Sequence, residues 1–579
     1  MTEATVVSGT PGIAVQDAQL YLVFPFVRSR RLSGLAPMRQ EMEHLRLSDL
    51  NKILHIPIKE EKRSKMSSKD ATIWEDDDEY TLDRAYFHEF VQSIFGTTKK
   101  NDTGVDDSEI RSLTPLKLSA EARNLVSGAL GKRGNGLCLV LSNSASNRLE
   151  SVGYTPESID TKSGKKRAFL PFDVENCHCL FFGTGVGMLL VEINVFRRAP
   201  RNASVPFEYL LEIVNQLCRA TYWNSAQKGL KCFRPPIRKS PEREQEPPTA
   251  TETNQPEAPN LRGLGPLCAT LLGERVDQDV EPTKFIPIHW EKVPIFCGVK
   301  TDPFPNKGER DIACIRLARK ETLDYVPNFE AVEDSFYHPF SYLTHTASIE
   351  GGVMLVEVDL AREEQTPEYV KNFVTNSTQR AYLPLMLWAL HEYLFLTELS
   401  KSASGWVDFR KTSEEDMLVL RNFRARIYNY RFHFRFSHAS AISMHNDMFR
   451  LWRKTYDLGT ILDEVDRDVA ETDNNLESFY AERARSKQER SRLIFGLFVA
   501  VAGTVISIPD WIGRRIVDIV PIHCSARFSW LCWDFSLHYI IVGLFLFSSV
   551  ALGLLLLPLG TSWALRRLRI RRIRKKFEI

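Results

Sequence analysis

The chain has 579 residues, enough for several domains, and its 75 Lys and Arg against 73 Asp and Glu leave a formal net charge of +2. A charge this small excludes a general attraction to nucleic acid, so we expect no direct nucleic-acid binding. The opening residues, MTEATVVSGT, lack the basic flank and apolar core of a signal peptide. We therefore expect the body of the protein to stay in the cytosol, with its cysteines reduced.

Residues 1–233 are predicted to form an N-terminal α/β cytoplasmic unit. The run Ala18–Phe26 is typical of a buried strand, and Cys179–Phe196 of a hairpin with a Gly-rich turn. That turn, GTGVG, is followed by further strand residues rather than by a helix, so a phosphate-binding loop is not predicted. Phe207–Leu217 repeats its apolar residues at helical spacing.

Residues 234–260 are rich in Pro, Glu and Thr and almost free of apolar side chains, which predicts a disordered linker. Residues 261–365 are predicted to form the second α/β part of the cytoplasmic body. Within it, Met354–Leu360 aligns without a gap onto Leu189–Val195 of the first hairpin. The two hairpins are either an internal repeat or two ordinary Gly turns before apolar strands.

Residues 366–490 are predicted to be helical and to include a long stalk helix. From Leu451 to Ile508 no proline occurs, which favours one continuous helix. Its apolar residues alternate steps of four and three, the pattern of a coiled coil, so we expect a parallel homo-oligomer. The alternative is a helix that packs in a bundle, followed by an unrelated membrane anchor. The predicted oligomer seam consists of Leu458, Leu462, Val465, Val469, Leu476 and Phe479.

Acidic residues also lie on this predicted helix. Asp463, Asp466 and Asp473 offer the oxygen ligands that hard cations prefer, so they are weak candidates for a metal site between subunits. A solvated helix face is the alternative and the more common explanation of such residues.

Residues 491–565 are predicted to hold two transmembrane helices, at about 493–512 and 539–559, each near the ~20 residues that cross a bilayer. Basic residues flank the pair, and the positive-inside rule then places both termini in the cytoplasm of a multi-pass inner-membrane protein. Extension of the seam predicts the pore-lining residues Leu493, Leu497, Ala500, Thr504 and Ser507, with Asp510 at the outer mouth. The basic cytoplasmic tail, residues 566–579, contains Arg566, Arg567, Arg569, Arg571, Arg572, Arg574, Lys575 and Lys576.

This layout resembles the CorA-type divalent cation transporters. Two phrases also look like divergent CorA-like proteins: TQRAYLPLMLWALHEYLFLTELS at Thr378–Ser400 and HNDMFRLWRKTYDL at His445–Leu458. The resemblance implies an α+β cytoplasmic body, a stalk helix, a transmembrane hairpin whose first helix lines the pore, and a homopentamer. The family's Gly-Met-Asn filter motif is absent, because the first span ends Val-Ile-Ser-Ile-Pro-Asp.

Two functions are consistent with the resemblance. The first is a homo-oligomeric channel or transporter for divalent cations such as Mg²⁺, with the lipid bilayer and the metal as partners. The second is a ligand-gated membrane effector pore of an antiviral defence system, whose body senses a nucleotide second messenger. No nucleophile elbow, metal triad or phosphate loop occurs, so we expect no enzyme and no catalytic residue.

Overall fold

The structure is a computed structural model that divides the chain into two compact units, Met1–Asp466 and Arg467–Ile579. Side chains are described as far as residue 500. Apart from isolated positions, the structure describes the backbone of residues 13–28, 72–76, 113–130, 137–160, 166–196, 205–220, 285–288, 293–359, 367–404, 424–428 and 435–519. The predicted linker lies outside these residues.

The described residues of the first unit form a mixed sheet of 14 strands. Its strands are β1 (Ala14–Arg28), β2 (Trp74–Asp76), β3 (Leu113–Leu118), β4 (Leu137–Val140), β5 (Glu157–Asp160), β6 (Lys166–Phe182), β7 (Val186–Asn194), β8 (Val205–Pro206), β9 (Cys232–Phe233), β10 (Phe285–Pro287), β11 (Ile295–Thr301), β12 (Phe336–Phe340), β13 (Leu343–Ser348) and β14 (Gly351–Glu357). The predicted strand at Ala18–Phe26 is confirmed as part of β1, and the predicted hairpin as β6 and β7.

The main path through the sheet is β12-β13-β14-β11-β1-β7-β6-β3-β2. β1 pairs antiparallel with both β7 and β11, so strands from before and after the linker share one sheet. β14 pairs parallel with β11, whereas β12 and β14 both pair antiparallel with β13. Therefore β11, β12 and β14 all run in the same direction and end at one edge of the sheet.

The two hairpins that align in sequence sit differently against their neighbours. β7 is antiparallel to β1, whereas β14 is parallel to β11. Their aligned glycines nevertheless meet the same packing demand. A Cβ on Gly187 would overlap the ring of Phe26, and one on Gly352 would overlap the ring of Trp452. Each glycine thus lets an aromatic ring lie directly on a strand.

The helices are α1 (Ala120–Leu130), α2 (Asn143–Ser151), α3 (Phe207–Ala220), α4 (Lys307–Arg319), α5 (Phe329–Val332), α6 (Glu368–Lys371), α7 (Phe373–Ser377), α8 (Leu383–Ser404), α9 (Ser443–Thr455) and α10 (Leu458–Ile519). The helix predicted at Phe207–Leu217 is confirmed as α3. Its apolar residues are buried in a core cluster that also includes residues of β1, β7 and α4.

The helical region after the sheet accommodates Pro384 at a helix start. A π-helical turn at Thr378–Tyr382 leads into α8, in which Pro384 is the second residue. Proline lacks an amide hydrogen, and it directly follows the π-helical turn, in which the Leu383 amide bonds to the Thr378 carbonyl.

The prediction of one continuous helix from Leu451 was wrong. α9 ends at Thr455 and α10 begins at Leu458, because Asp457 between them adopts a left-handed backbone with φ 49°. Aspartate tolerates this conformation, and the Asp457 carboxylate accepts a hydrogen bond from the Thr460 hydroxyl at 2.8 Å. Helix α10 also continues to Ile519, past the predicted end at Ile508.

The prediction of a multi-pass inner-membrane protein was also wrong. In the part of the chain that the structure describes, no helix combines the length and the apolar character that a bilayer crossing requires. The predicted transmembrane hairpin is therefore not found among those residues. The second predicted span, residues 539–559, and the basic tail, residues 566–579, lie outside them.

Candidate ligand-binding site

A cleft opens at the edge of the sheet where β11, β12 and β14 end. Its volume is about 500 Å³, within the usual range for small-molecule sites. In open α/β sheets, ligands bind outside the carboxyl ends of the strands, which is where this cleft lies. Its lining residues are Phe304, Asn306, Lys307, Arg310, His338, Pro339, Phe340, Ser341 and Glu357.

The N-terminus of α4 forms one side of the cleft. Asn306 caps the helix, because its side-chain oxygen accepts a hydrogen bond from the Glu309 amide at 2.9 Å. The Asn306 side-chain amide in turn donates to the Glu309 carboxylate at 2.8 Å. This reciprocal arrangement fixes the helix start at Lys307. The positive end of the helix dipole and the exposed Lys307 thus face the same space.

A buried ion pair forms part of the cleft lining. Arg310 Nη1 donates to Glu357 Oε2 and to the Ser341 carbonyl, both at 2.6 Å. The other oxygen of Glu357 accepts from the Phe304 amide at 2.8 Å. These bonds join α4 to the end of β14 and largely neutralise the Arg310 charge.

Two buried polar atoms beside this pair lack hydrogen bonds. Arg310 Nε and Asp311 Oδ1 are 3.8 Å apart, and neither makes one. Both residues are at least nine-tenths buried, with 6% and 7% of their surface exposed. The two atoms face each other as an ion pair that is buried from solvent.

The aromatic side of the cleft comes from β12. The rings of Phe336 and His338 stack with their centroids 6.0 Å apart, and those of Phe340 and Tyr342 at 5.4 Å. The two nitrogens of His338 lie 3.5 Å from an Asp311 carboxylate oxygen and 3.2 Å from the Thr344 hydroxyl. The imidazole plane is therefore fixed. Phe340 is 47% exposed, so much of its ring is open to solvent.

This cleft was not predicted from the sequence, although the capping residues Asn306 and Glu309 stand three apart there. The predicted seam residues lie elsewhere. Leu458, Leu462, Val465 and Val469 are buried within the chain itself. Phe479 is partly exposed, and the side chain of Leu476 lies outside the described residues.

The predicted pore-lining residues belong to α10. Leu493 and Leu497 are 73% and 65% exposed, and Ala500 is also exposed. The side chains of Thr504, Ser507 and Asp510 lie outside the described residues. Their role in a pore stays a prediction.

The predicted metal candidates are not brought together. Asp463 is exposed on α10, Asp466 pairs with Arg431, and the side chain of Asp473 is not among those described. Within the described part of the chain, no group of three or more His, Cys, Asp or Glu side chains is placed to hold a metal ion.

No protein-family model, curated protein or solved structure matches this chain. The resemblance to CorA-type transporters therefore stays a prediction. Cation transport and nucleotide gating of a pore also stay predictions, because no described contact bears on either.

Proposed function

We propose that the protein is a self-associating sensor whose cleft between α4 and β12 binds a nucleotide. The observation that carries the proposal is the cleft of about 500 Å³ at the carboxyl ends of three strands that run in one direction. It combines an aromatic wall with the N-terminus of a helix, and a nucleotide combines a planar base with phosphate.

Positive charge for the phosphate comes from Lys307 and the first amides of α4. A helix N-terminus is a ready-made anion site, because its free amides and its dipole both favour negative charge. Arg310 contributes less net charge, since Glu357 binds it at 2.6 Å. The exposed ring of Phe340 and the fixed ring of His338 offer surfaces on which a base can stack.

Self-association is supported by the exposed apolar residues of α10. A helical segment that is apolar on all sides is stable when all of its sides are buried, and equivalent helices from other copies of the chain can bury it. Six consecutive or near-consecutive side chains are 52–73% exposed: Leu493, Ile494, Phe495, Leu497, Phe498 and Val499. The resemblance to CorA-type transporters predicts five copies.

Combining Lys307→Ala with Phe340→Ala should weaken nucleotide binding at least about 10-fold, because loss of a charged contact and of a stacking surface each costs about 1–3 kcal/mol. Titration calorimetry on the full chain would measure this against a panel of nucleoside monophosphates, triphosphates and cyclic dinucleotides.

The matched control is Lys401→Ala with Phe329→Ala, which removes the same residue types from exposed positions outside the cleft. It should leave the affinity unchanged. Binding that survives loss of Lys307 and Phe340, or no binding by any nucleotide on the panel, would reject the nucleotide site.

Phe495→Asp with Leu497→Asp should lower the mass of the purified particle towards that of one chain, since two charges at an apolar contact must be desolvated on association. Light scattering coupled to gel filtration reports that mass. Gln488→Asp, at an exposed polar position of the same helix, is the control and should keep the full mass. A particle that is already monomeric before substitution contradicts the proposal.

A further inference from the structure

Helix α8 carries two adjacent ionisable residues, His391 and Glu392, that are both fully buried. Charged side chains are rarely buried completely unless they are paired. Neither residue lines the cleft described above. Their contacts reach different neighbouring elements, so this short stretch of α8 joins several parts of the first unit.

Glu392 is held from three directions. The Trp388 indole, one turn earlier on α8, donates to Oε1 at 3.1 Å, and Arg453 Nε of α9 lies 3.6 Å from Oε2. The hydroxyl of Tyr430 and the guanidinium of Arg435 also favour the charged form of the carboxylate. Among the residues that the structure describes, the charged and titratable groups that act on Glu392 are two arginines and one tyrosine.

His391 is held separately. Its Nε2 lies 2.7 Å from the Thr184 hydroxyl in the β6–β7 turn, and its ring stacks on Phe182 with centroids 4.0 Å apart. Burial lowers the pKa of His391 to about 3, so the imidazole stays neutral. Burial raises the pKa of Glu392 to about 7, and Arg453 opposes that rise. Of the two residues, Glu392 is the one that titrates near neutrality.

We propose that Glu392 is a proton-sensitive joint between α8 and α9. Its ionised carboxylate forms the ion pair with Arg453, and its protonated form gives that pair up while keeping the hydrogen bond from Trp388. Arg453 then keeps its bond to the Phe436 carbonyl at 2.8 Å and its position over the Phe449 ring. Because the break at Asp457 follows Arg453 by four residues, the joint lies just before the start of α10.

Infrared difference spectroscopy of the full chain tests the joint. The carbonyl stretch of a protonated carboxyl group should disappear as the pH rises from about 5 to about 9, with a midpoint near the pKa of Glu392. The substitution Glu392→Gln should abolish that change. Glu398→Gln, on the same helix but paired with Lys401 near the surface, should leave it intact. If the carbonyl stretch changes with pH in the same way in Glu392→Gln as in the unaltered protein, the assignment to Glu392 is wrong.

Arg453 provides the decisive second readout. Arg453→Gln removes the charge that favours the carboxylate, so the midpoint should move up by about one pH unit or more. Arg450→Gln, at a more exposed position of α9, is the control and should leave the midpoint unchanged. If Arg453→Gln does not fold, Arg453→Lys keeps the charge and should give a smaller upward shift. An unmoved midpoint in whichever variant folds rejects the pairing.

Melting temperature gives an independent check with a defined sign. The pKa of Glu392 is raised in the folded state, so its stabilising contribution is complete below its ordinary value of 4.5 and is lost as the pH rises through about 7. The unaltered protein should therefore melt progressively lower, relative to Glu392→Gln, between about pH 5 and about pH 8. A constant difference across that range contradicts the expected titration.

Discussion

Gly352→Ala is expected to destabilise the first unit by about 2–3 kcal/mol, and a larger side chain at this position by more. The added Cβ would overlap the ring of Trp452 and lie 3.2 Å from the Thr346 carbonyl oxygen. Trp452 is completely buried and so has little room to move. The cost is therefore steric, since the backbone of Gly352 is not in the left-handed region.

Denaturant unfolding of the matched variant Gly459→Ala separates this steric cost from a general effect of replacing glycine. Gly459 lies in α10 with no atom within 4 Å of an added Cβ. Alanine should therefore stabilise the helix there, by less than the about 0.5–1 kcal/mol of a helix interior because Gly459 is the second residue of α10. The two substitutions should thus change the free energy of unfolding in opposite directions. Equal effects would mean that Trp452 does not lie against Gly352.

Leu462→Asp is expected to cost at least about 4 kcal/mol in the free energy of unfolding, because it removes a buried apolar side chain and buries a charge in its place. Leu462 is 4% exposed, and Leu458 and Val465 beside it are also buried. This loss should appear in dilute protein, where association between chains is weakest. Chemical denaturation followed by circular dichroism at several protein concentrations would measure it.

Glu464→Asp is the control for that substitution, since Glu464 is exposed on the same helix. It should change stability by less than about 0.5 kcal/mol. If Leu462→Asp instead dissociates an oligomer and leaves each chain folded, Leu462 belongs to an interface between chains, as the heptad pattern first suggested.

Two strong local patterns were read correctly from the sequence. The apolar spacing of Phe207–Leu217 is confirmed as α3, and the glycines between two apolar runs as the turn between β6 and β7. In both places the residues that determine the element lie next to each other in the chain. Packing against the core then stabilises the helix or the hairpin without changing the type of element.

The heptad pattern of α10 shows the limit of that approach. Spacing identifies which face of a helix is apolar, but the same spacing serves an oligomer or the interior of a single chain. Leu458, Leu462 and Val465 are buried within the first unit. The break at Asp457 was missed for a related reason, because aspartate is ordinary on a helix surface and only its backbone conformation marks the boundary.

The cleft could not be predicted because its parts are far apart in sequence. Arg310 and Glu357 come together only through the parallel pairing of β11 with β14, and His338 joins them through β12. Strand order and direction follow from long-range contacts, which periodicity does not contain. The helix start at Asn306 was not predicted, and its capping side chain alone does not show what the helix faces.

The central position of β1 has a consequence for how the protein is made. Leu20 of β1 pairs with Cys297 of β11. The chain between them includes β7 and β8, which pair with the other edge of β1. At roughly 5–20 residues per second, a ribosome needs about 15 to 60 seconds to synthesise the intervening chain. During that interval one edge of β1 has no partner from β11, so a nascent chain exposes an apolar strand edge that chaperones can protect. Translation speed, as well as sequence, should therefore influence the yield of folded protein.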